Sequence, residues 1–393
     1  MERDRYGYPL ANVSPGAAAA YRTGVDLLLS GYPHADTYLA ESLRQDPGFA
    51  LAHAALGRHC QIYGRTAEAR AAIERARGAS SSGRERQHIE ILGLSVEGQP
   101  ARALAALLEH AEAYPRDALP LSLALGAFGL YAFSGRAEHD ELRLELCRRL
   151  APHYGEDWWL LTHLGWSHTE AGRLADGARI TERALELKRD NAHAAHAYAH
   201  FFAEARLPEE GLRFVEAWLP GYGAGGTLYA HLHWHCALWH LERNESEAAA
   251  AILSGVLHPA VSLAPPINVV SDCASLLWRL SISGRQPAGA RELSEYGSRH
   301  YRATPPPFIA WHLAMADALA GDARATPAES PAGAVLPAVC AAFAAFAGKR
   351  YAEVVALLEP VRRDFVRLGG SGAQRRVLGE TLEAARERAA RAG

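Results

Sequence analysis

The feature that most constrains this chain is a spacing of small residues that returns every 34 positions: Gly165 to Ala199, and Gly177 to Gly211. Each unit has the same inner layout, with a small residue, a Gly or polar residue seven positions on, and a second small residue twelve positions from the first. Leu56-Gly57 is followed by Gly64 and Ala69, Leu164-Gly165 by Gly172 and Gly177, and Tyr198-Ala199 by Arg206 and Gly211. Cys236-Ala237, Asn244 and Ala249 repeat it, as do Leu277, Gly284 and Gly289. Leu313-Ala314 and Gly321 continue it, with Pro327 as the candidate for the last small position. A small residue on each of two helices lets their backbones approach, and the residue between them suits a turn.

That period is the one of tetratricopeptide repeats, in which each unit is a pair of antiparallel helices. The expected fold is therefore all-α: a tetratricopeptide-repeat-like α-solenoid of antiparallel helical hairpins, with no strand of any length. A chain of 393 residues is long for one globular core, but a repeat array builds one continuous core by stacking. We read residues 1–393 as a single solenoid, with less regular N-terminal hairpins over 1–150 and central and C-terminal repeats over 155–380. Pro47 and Pro208 are expected at helix starts. Gly348, Tyr351 and Ala352 open a last hairpin. Residues 79–83 read as a loop, and residues 100–150 as helical in poorer register. Breakers gather in Leu219-Pro220-Gly221-Tyr222-Gly223, Ala264-Pro265-Pro266 and Thr304-Pro305-Pro306-Pro307.

Composition narrows the partners. Net charge is −3 and there is no basic block, which argues against nucleic acid. The five cysteines are scattered with no CxxC pair, so neither a disulfide framework nor a cysteine–zinc site is expected. No apolar run is long enough for a membrane span and the start has no apolar signal core, so a cytoplasmic setting is expected.

Histidine is the unusual residue, at 19 copies. His193, His196 and His200 share one helical stripe, and His231 shares another with His235, with His233 between them. In the repeat register these positions line the concave face, as do His163 and His312. Neighbouring first helices lie roughly 10 Å apart, close enough for imidazoles from two of them to meet. Paired histidines at i, i+4 can chelate a divalent ion, and imidazole also serves as acid or base near neutral pH. A bland reading stands beside this one: such pairs also occur incidentally, and His168 and His240 suit packing positions.

Several stretches together resemble one family. They are Asn191-Ala192-His193-Ala194-Ala195-His196-Ala197-Tyr198-Ala199-His200, His231-Leu232-His233-Trp234-His235-Cys236-Ala237-Leu238, and Asp272-Cys273-Ala274-Ser275-Leu276-Leu277-Trp278-Arg279-Leu280. Trp311-His312 and Leu368-Gly369-Gly370-Ser371-Gly372-Ala373-Gln374-Arg375 complete the set. The chain resembles the tetratricopeptide repeat protein 38 family of bacteria and animals, most clearly over residues 155–380. The resemblance implies the helical fold and a soluble protein, but no assigned reaction. The family's histidines match His196, His200, His231, His235 and His312, whereas His193 and His233 are additional here.

Two functions follow as expectations. The first is a small-molecule enzyme or receptor, leaning towards a metal-dependent hydrolase or lyase, or an isomerase. Its metal ligands would be His196, His200, His231 and His235, holding Zn, Mn, Fe or Co. Its catalytic groups would be His196, His200, Asp272 and His312, with Asp272 orienting an imidazole. Its contacts to a polar, anionic substrate would be Trp234, Arg279, Ser371, Gln374 and Arg375; Gly369-Gly370 ends one helix, and Ser371 caps the next. The second is a scaffold that binds a peptide or protein partner in the concave groove without catalysis. The groove positions carry His and aromatic residues here rather than Asn, Lys and Arg, which ranks the scaffold second.

Overall fold

The computed structural model describes residues 1–301, 305–322 and 330–392. The chain begins with the hairpins α1 (Pro15–Ser30) with α2 (Ala35–Gln45), α3 (Ala50–Ile62) with α4 (Thr66–Gly78), and α5 (Gly83–Val96) with α6 (Pro100–Ala113). A single turn, α7 (Ala118–Leu121), precedes α8 (His139–Tyr154). Four hairpins follow: α9 (Trp158–Glu170) with α10 (Leu174–Leu187), α11 (Ala192–Glu204) with α12 (Pro208–Trp218), α13 (Tyr229–Glu242) with α14 (Ser246–Ile252), and α15 (Pro266–Ile282) with α16 (Ala290–His300). The chain then runs through α17 (Pro307–Ala320), α18 (Val335–Ala347), α19 (Tyr351–Leu358) and α20 (Gly372–Ala392). Among the described residues there is no strand, only an isolated antiparallel bridge between Arg3 and Pro9. This is an all-α, tetratricopeptide-repeat-like solenoid.

The repeat pattern acts as its chemistry requires. Gly64, Gly172, Arg206, Asn244, Gly284 and Gly321 all adopt φ between 59° and 90° at the hairpin turns. That left-handed region is natural for Gly and costs other residues energy. Between the helices, contact is tight: a Cβ on Gly165 would stand 2.3 Å from the Thr181 hydroxyl, and one on Gly177 would stand 2.2 Å from that of Thr169. Side-chain caps set the helix starts, with Asp157 accepting from the Trp159 and Leu160 N–H groups and Ser82 forming a capping box with Glu85. The first helices α9, α11, α13, α15 and α17 pack side by side as an inner layer.

Some expectations need correction. Pro208 opens α12, but Pro47 lies in the turn before α3, where its carbonyl accepts from His53 Nε2 at 2.8 Å. Thr304 and Pro327 lie outside the described residues. Residues 100–150 are not helical throughout: after a short 3₁₀ turn at Ser122–Ala124 the chain leaves helix until His139.

That irregular stretch closes the molecule. Phe133 stacks near Phe308 of α17, with ring centroids 5.7 Å apart. Arg367 donates to the Gly135 carbonyl at 3.1 Å, and His139 Nε2 donates to the Val366 carbonyl at 3.1 Å. On the other side, Tyr222 donates to the Gly31 carbonyl at 2.6 Å and Tyr63 to the Gly225 carbonyl at 3.0 Å. The solenoid thus curls until distant hairpins touch, and its concave side surrounds a cavity of about 750 Å³.

Candidate metal and ligand site

The inner end of the cavity is built by two neighbouring first helices. Asn191 caps α11, accepting from the Ala194 N–H at 3.1 Å, while its amide donates to Thr162 of α9 at 3.0 Å. This fixes where α11 begins and therefore where its side chains point. One turn in, His196 and His200 face α13, which presents His231 and His235. One ligand-capable atom from each of these four buried residues lies within 4.8 Å of the others. Ring centroids of His196 and His231 are 4.7 Å apart, and those of His200 and His235 are 4.8 Å apart.

Two carboxylates orient the set. His200 Nδ1 donates to Glu170 Oε1 at 2.9 Å, and His231 Nδ1 donates to Asp272 Oδ2 at 2.9 Å. A carboxylate accepts only, so both rings carry their proton on Nδ1 and turn Nε2 inward. His200 Nε2 and His196 Nε2 stand 2.9 Å apart. The carboxylates are themselves held: Asp272 Oδ1 accepts from the Ser271 hydroxyl at 3.0 Å, and Glu170 Oε2 accepts from the Gly372 N–H at 2.9 Å. Trp166 stacks on His200 and Trp234 on His231, keeping the cluster dry.

Burial favours the neutral form of two of the four rings. Burial first, and then the neighbouring histidines, push His196 and His235 well below the usual imidazole range. Burial also raises the Glu170 carboxyl, but the hydrogen bond and charge of His200 outweigh it and leave Glu170 lowered. His163 of α9 and His193 of α11 are lowered by burial to about 3 and about 4.

The donor set fits a metal on three counts. Neutral imidazoles are ligands as they stand. Both nitrogens of His235 are buried without a hydrogen-bond partner, a costly state that a bound ion relieves at one of them. Each carboxylate–histidine pair is the usual outer support of a ligating imidazole. In a tetrahedral site with bonds of about 2.0–2.1 Å, ligand atoms sit roughly 3.4 Å apart. The 4.8 Å spread is wider, so the rings would draw together on binding an ion.

The remaining candidate residues have other placements. Asp272 meets His231, as above. His312 lies apart from the quartet: its Nδ1 donates to the Phe308 carbonyl at 2.7 Å, and burial lowers it to about 3. None of the five expected substrate contacts lines the cavity. Trp234 is fully buried and donates to Ser275 at 3.2 Å. Arg279 pairs with Glu380 at 2.8 Å and donates to Ser275. Ser371 caps α20, with its hydroxyl 3.2 Å from the Gln374 N–H, and Gln374 Oε1 accepts from the Ser371 N–H at 3.0 Å. Arg375 donates to the Gly370 carbonyl and faces Asp140 at 3.6 Å. The Gly369-Gly370-Ser371 turn therefore works inward: φ values of 81° and 77° at the two glycines bring the Gly372 N–H to Glu170.

Sequence reasoning missed Glu170, Trp166, Asn268 and Arg58. Glu170 closes a turn and carries no motif of its own. Asn268 lines the cavity from α15, one turn before Asp272, and Arg58 from α3, a helix far from the quartet in sequence.

No family model matches the chain. Among solved structures it is similar to the tetratricopeptide-repeat domain of P58(IPK), at 15% identity and a TM-score of 0.25, over 96% of this chain and 89% of that one. It is also similar to a structure of Naa15/Naa10 bound to HypK-THB, at 11% identity and a TM-score of 0.28, over 95% of this chain and 80% of that one.

Proposed function

We propose that this protein is a metal-dependent enzyme or receptor for a small molecule, with His196, His200, His231 and His235 holding one divalent transition-metal ion at the inner end of the cavity. The observation that carries this reading is the gathering of four buried imidazoles, two of them clamped by carboxylates, within 4.8 Å. A divalent ion there supplies Lewis acidity towards a polar oxygen of the substrate. The protein's own groups do the rest. Glu170 and Asp272 hold the Nδ1 protons of His200 and His231 and so keep both Nε2 atoms turned inward. His196 and His231 reach the cavity wall, where the unpartnered side-chain amide of Asn268 offers a polar contact to a bound molecule. The reaction class is hydrolysis, elimination or isomerisation. The ion would be one of Zn, Mn, Fe or Co, and catalysis would need a position left open beside the four imidazoles.

The test is elemental analysis of protein purified without a polyhistidine tag. We expect about one transition-metal ion per chain, and about tenfold less in His196→Ala and in His235→Ala with helical content unchanged. Wild type that stays metal-free, and that gives no visible ligand-field bands when titrated with cobalt(II), sinks the reading.

The second reading is a repeat scaffold for a peptide or protein partner. It rests on the repeat architecture alone, and residues 125–138 occupy the concave side that such a partner would use. We further place the chain in the tetratricopeptide repeat protein 38 family, on the histidine and Gly-Gly-Ser stretches. A bacterial, cytoplasmic setting goes with that placement and suits the five buried cysteines. No helix among the described residues is long and apolar enough to cross a membrane.

A further inference from the structure

The cavity wall has a one-sided charge. Among the described residues that line it there is no aspartate or glutamate, and Arg58 is the only lysine or arginine. Arg58 projects from α3, the helix opposite the histidine pair of α11 in the curled solenoid. Its one hydrogen bond is to Gln61 Oε1, at 2.7 Å, and Gln61 in turn donates to the Ser95 hydroxyl at 3.0 Å. No carboxylate among the described residues pairs with it. The buried arginines among the described residues each have one: Arg84 meets Asp117, Arg143 meets Asp140 and Arg279 meets Glu380. Arg58 also bears on the histidine side of the cavity, because its charge is a cause of the lowering of His193.

A guanidinium out of bulk water without a counter-ion is a costly arrangement. Burial alone lowers Arg58 to about 10, which leaves it charged at neutral pH. The geometry of the fork, with one N–H used by Gln61, leaves donors for two parallel hydrogen bonds to a planar oxyanion. The rest of the wall is mostly apolar, with Trp159, Trp166, Phe128 and Leu125 among its members.

We propose that the cavity binds an amphipathic carboxylate, its carboxylate head on Arg58 and its apolar body against the aromatic and leucine wall of the same chamber that His196 and His231 reach. This deepens the metal reading by naming a substrate class, and it moves anion recognition from Arg279 and Arg375, both already engaged, to Arg58.

The experiment is calorimetric titration of the full chain with octanoate and with 3-phenylpropionate, each against its neutral amide. We expect wild type to prefer each carboxylate by about tenfold or more, the worth of a charge-assisted hydrogen bond. Arg58→Met should abolish the preference while leaving amide binding within about twofold, which also shows that the variant is folded. Arg58→Lys should retain part of it. The same titrations on chelator-stripped wild type separate this proposal from the metal reading. A preference that survives stripping supports Arg58 whatever the histidines hold, and one that vanishes on stripping assigns the carboxylate to a metal and overturns the proposal. Equal binding of acid and amide by wild type, or a preference that persists in Arg58→Met, overturns it as well.

Discussion

At the scale of single residues, the balance is between burying imidazoles and giving them partners. His196 and His235 are held neutral by burial and by each other, His163 and His312 are lowered to about 3, and His193 to about 4. In the unfolded chain these rings take up protons near pH 6.5 or so. Between the folded and unfolded values the unfolded state binds more protons, so stability rises with pH there. The contribution is complete above the unfolded value and is lost as pH falls, at about 1.4 kcal/mol per ring per pH unit. Chelator-treated protein should therefore lose several degrees of Tm between about pH 7.5 and pH 5.5, and a flat Tm over that range would contradict the burial of these five rings in neutral form. The quartet was legible beforehand because i, i+4 spacing and the repeat register both act within one hairpin or its neighbour. Glu170 and Arg58 were not, because their roles come from the curl of the whole array. Arg279 and Arg375 were misleading for the same reason: whether an arginine is free depends on which acid the fold delivers to it.

At the scale of the helix and hairpin, local chemistry and global fold agree closely. The two-helix contact around Gly165 has no room for a side chain, and the turn at Gly172 needs a left-handed residue. Gly165→Val should unfold its hairpin cooperatively, at a cost of about 3 kcal/mol or more from overpacking. Arg206, with φ of 59° at the equivalent turn, should respond in the opposite sense. Arg206→Gly is expected to raise stability by up to about 1 kcal/mol, read from the urea midpoint at unchanged m-value. These turns could be placed from sequence because the small–turn–small layout recurs. Residues 125–138 could not, because their contacts are with Phe308, Arg367 and Gly369, far along the chain, and no period records such pairings.

At the scale of the whole molecule, the distinguishing property is closure. Repeat solenoids of this kind contact mainly their neighbours, whereas here the stretch after α7 reaches the C-terminal helices and α1 reaches the connector before α13. Phe133, wedged between Phe128, Phe308 and the backbone at Gly369, is a keystone of that contact. Phe133→Ala should lower stability by about 2 kcal/mol or more and admit larger ligands to the cavity, measured as a fall in Tm together with tighter binding of a bulky carboxylate. Unchanged stability would mean that the ring is held closed elsewhere. The hydrogen bond from the Gly372 N–H to Glu170 spans 202 positions of sequence and gives closure a temporal side. At synthesis rates of about 5–20 residues per second, the nascent chain carries Glu170 for roughly 10–40 s before its donor exists. Both histidine helices leave the ribosome within that interval, so the imidazoles face the metal pool of the cell before the clamp that orders them has been made.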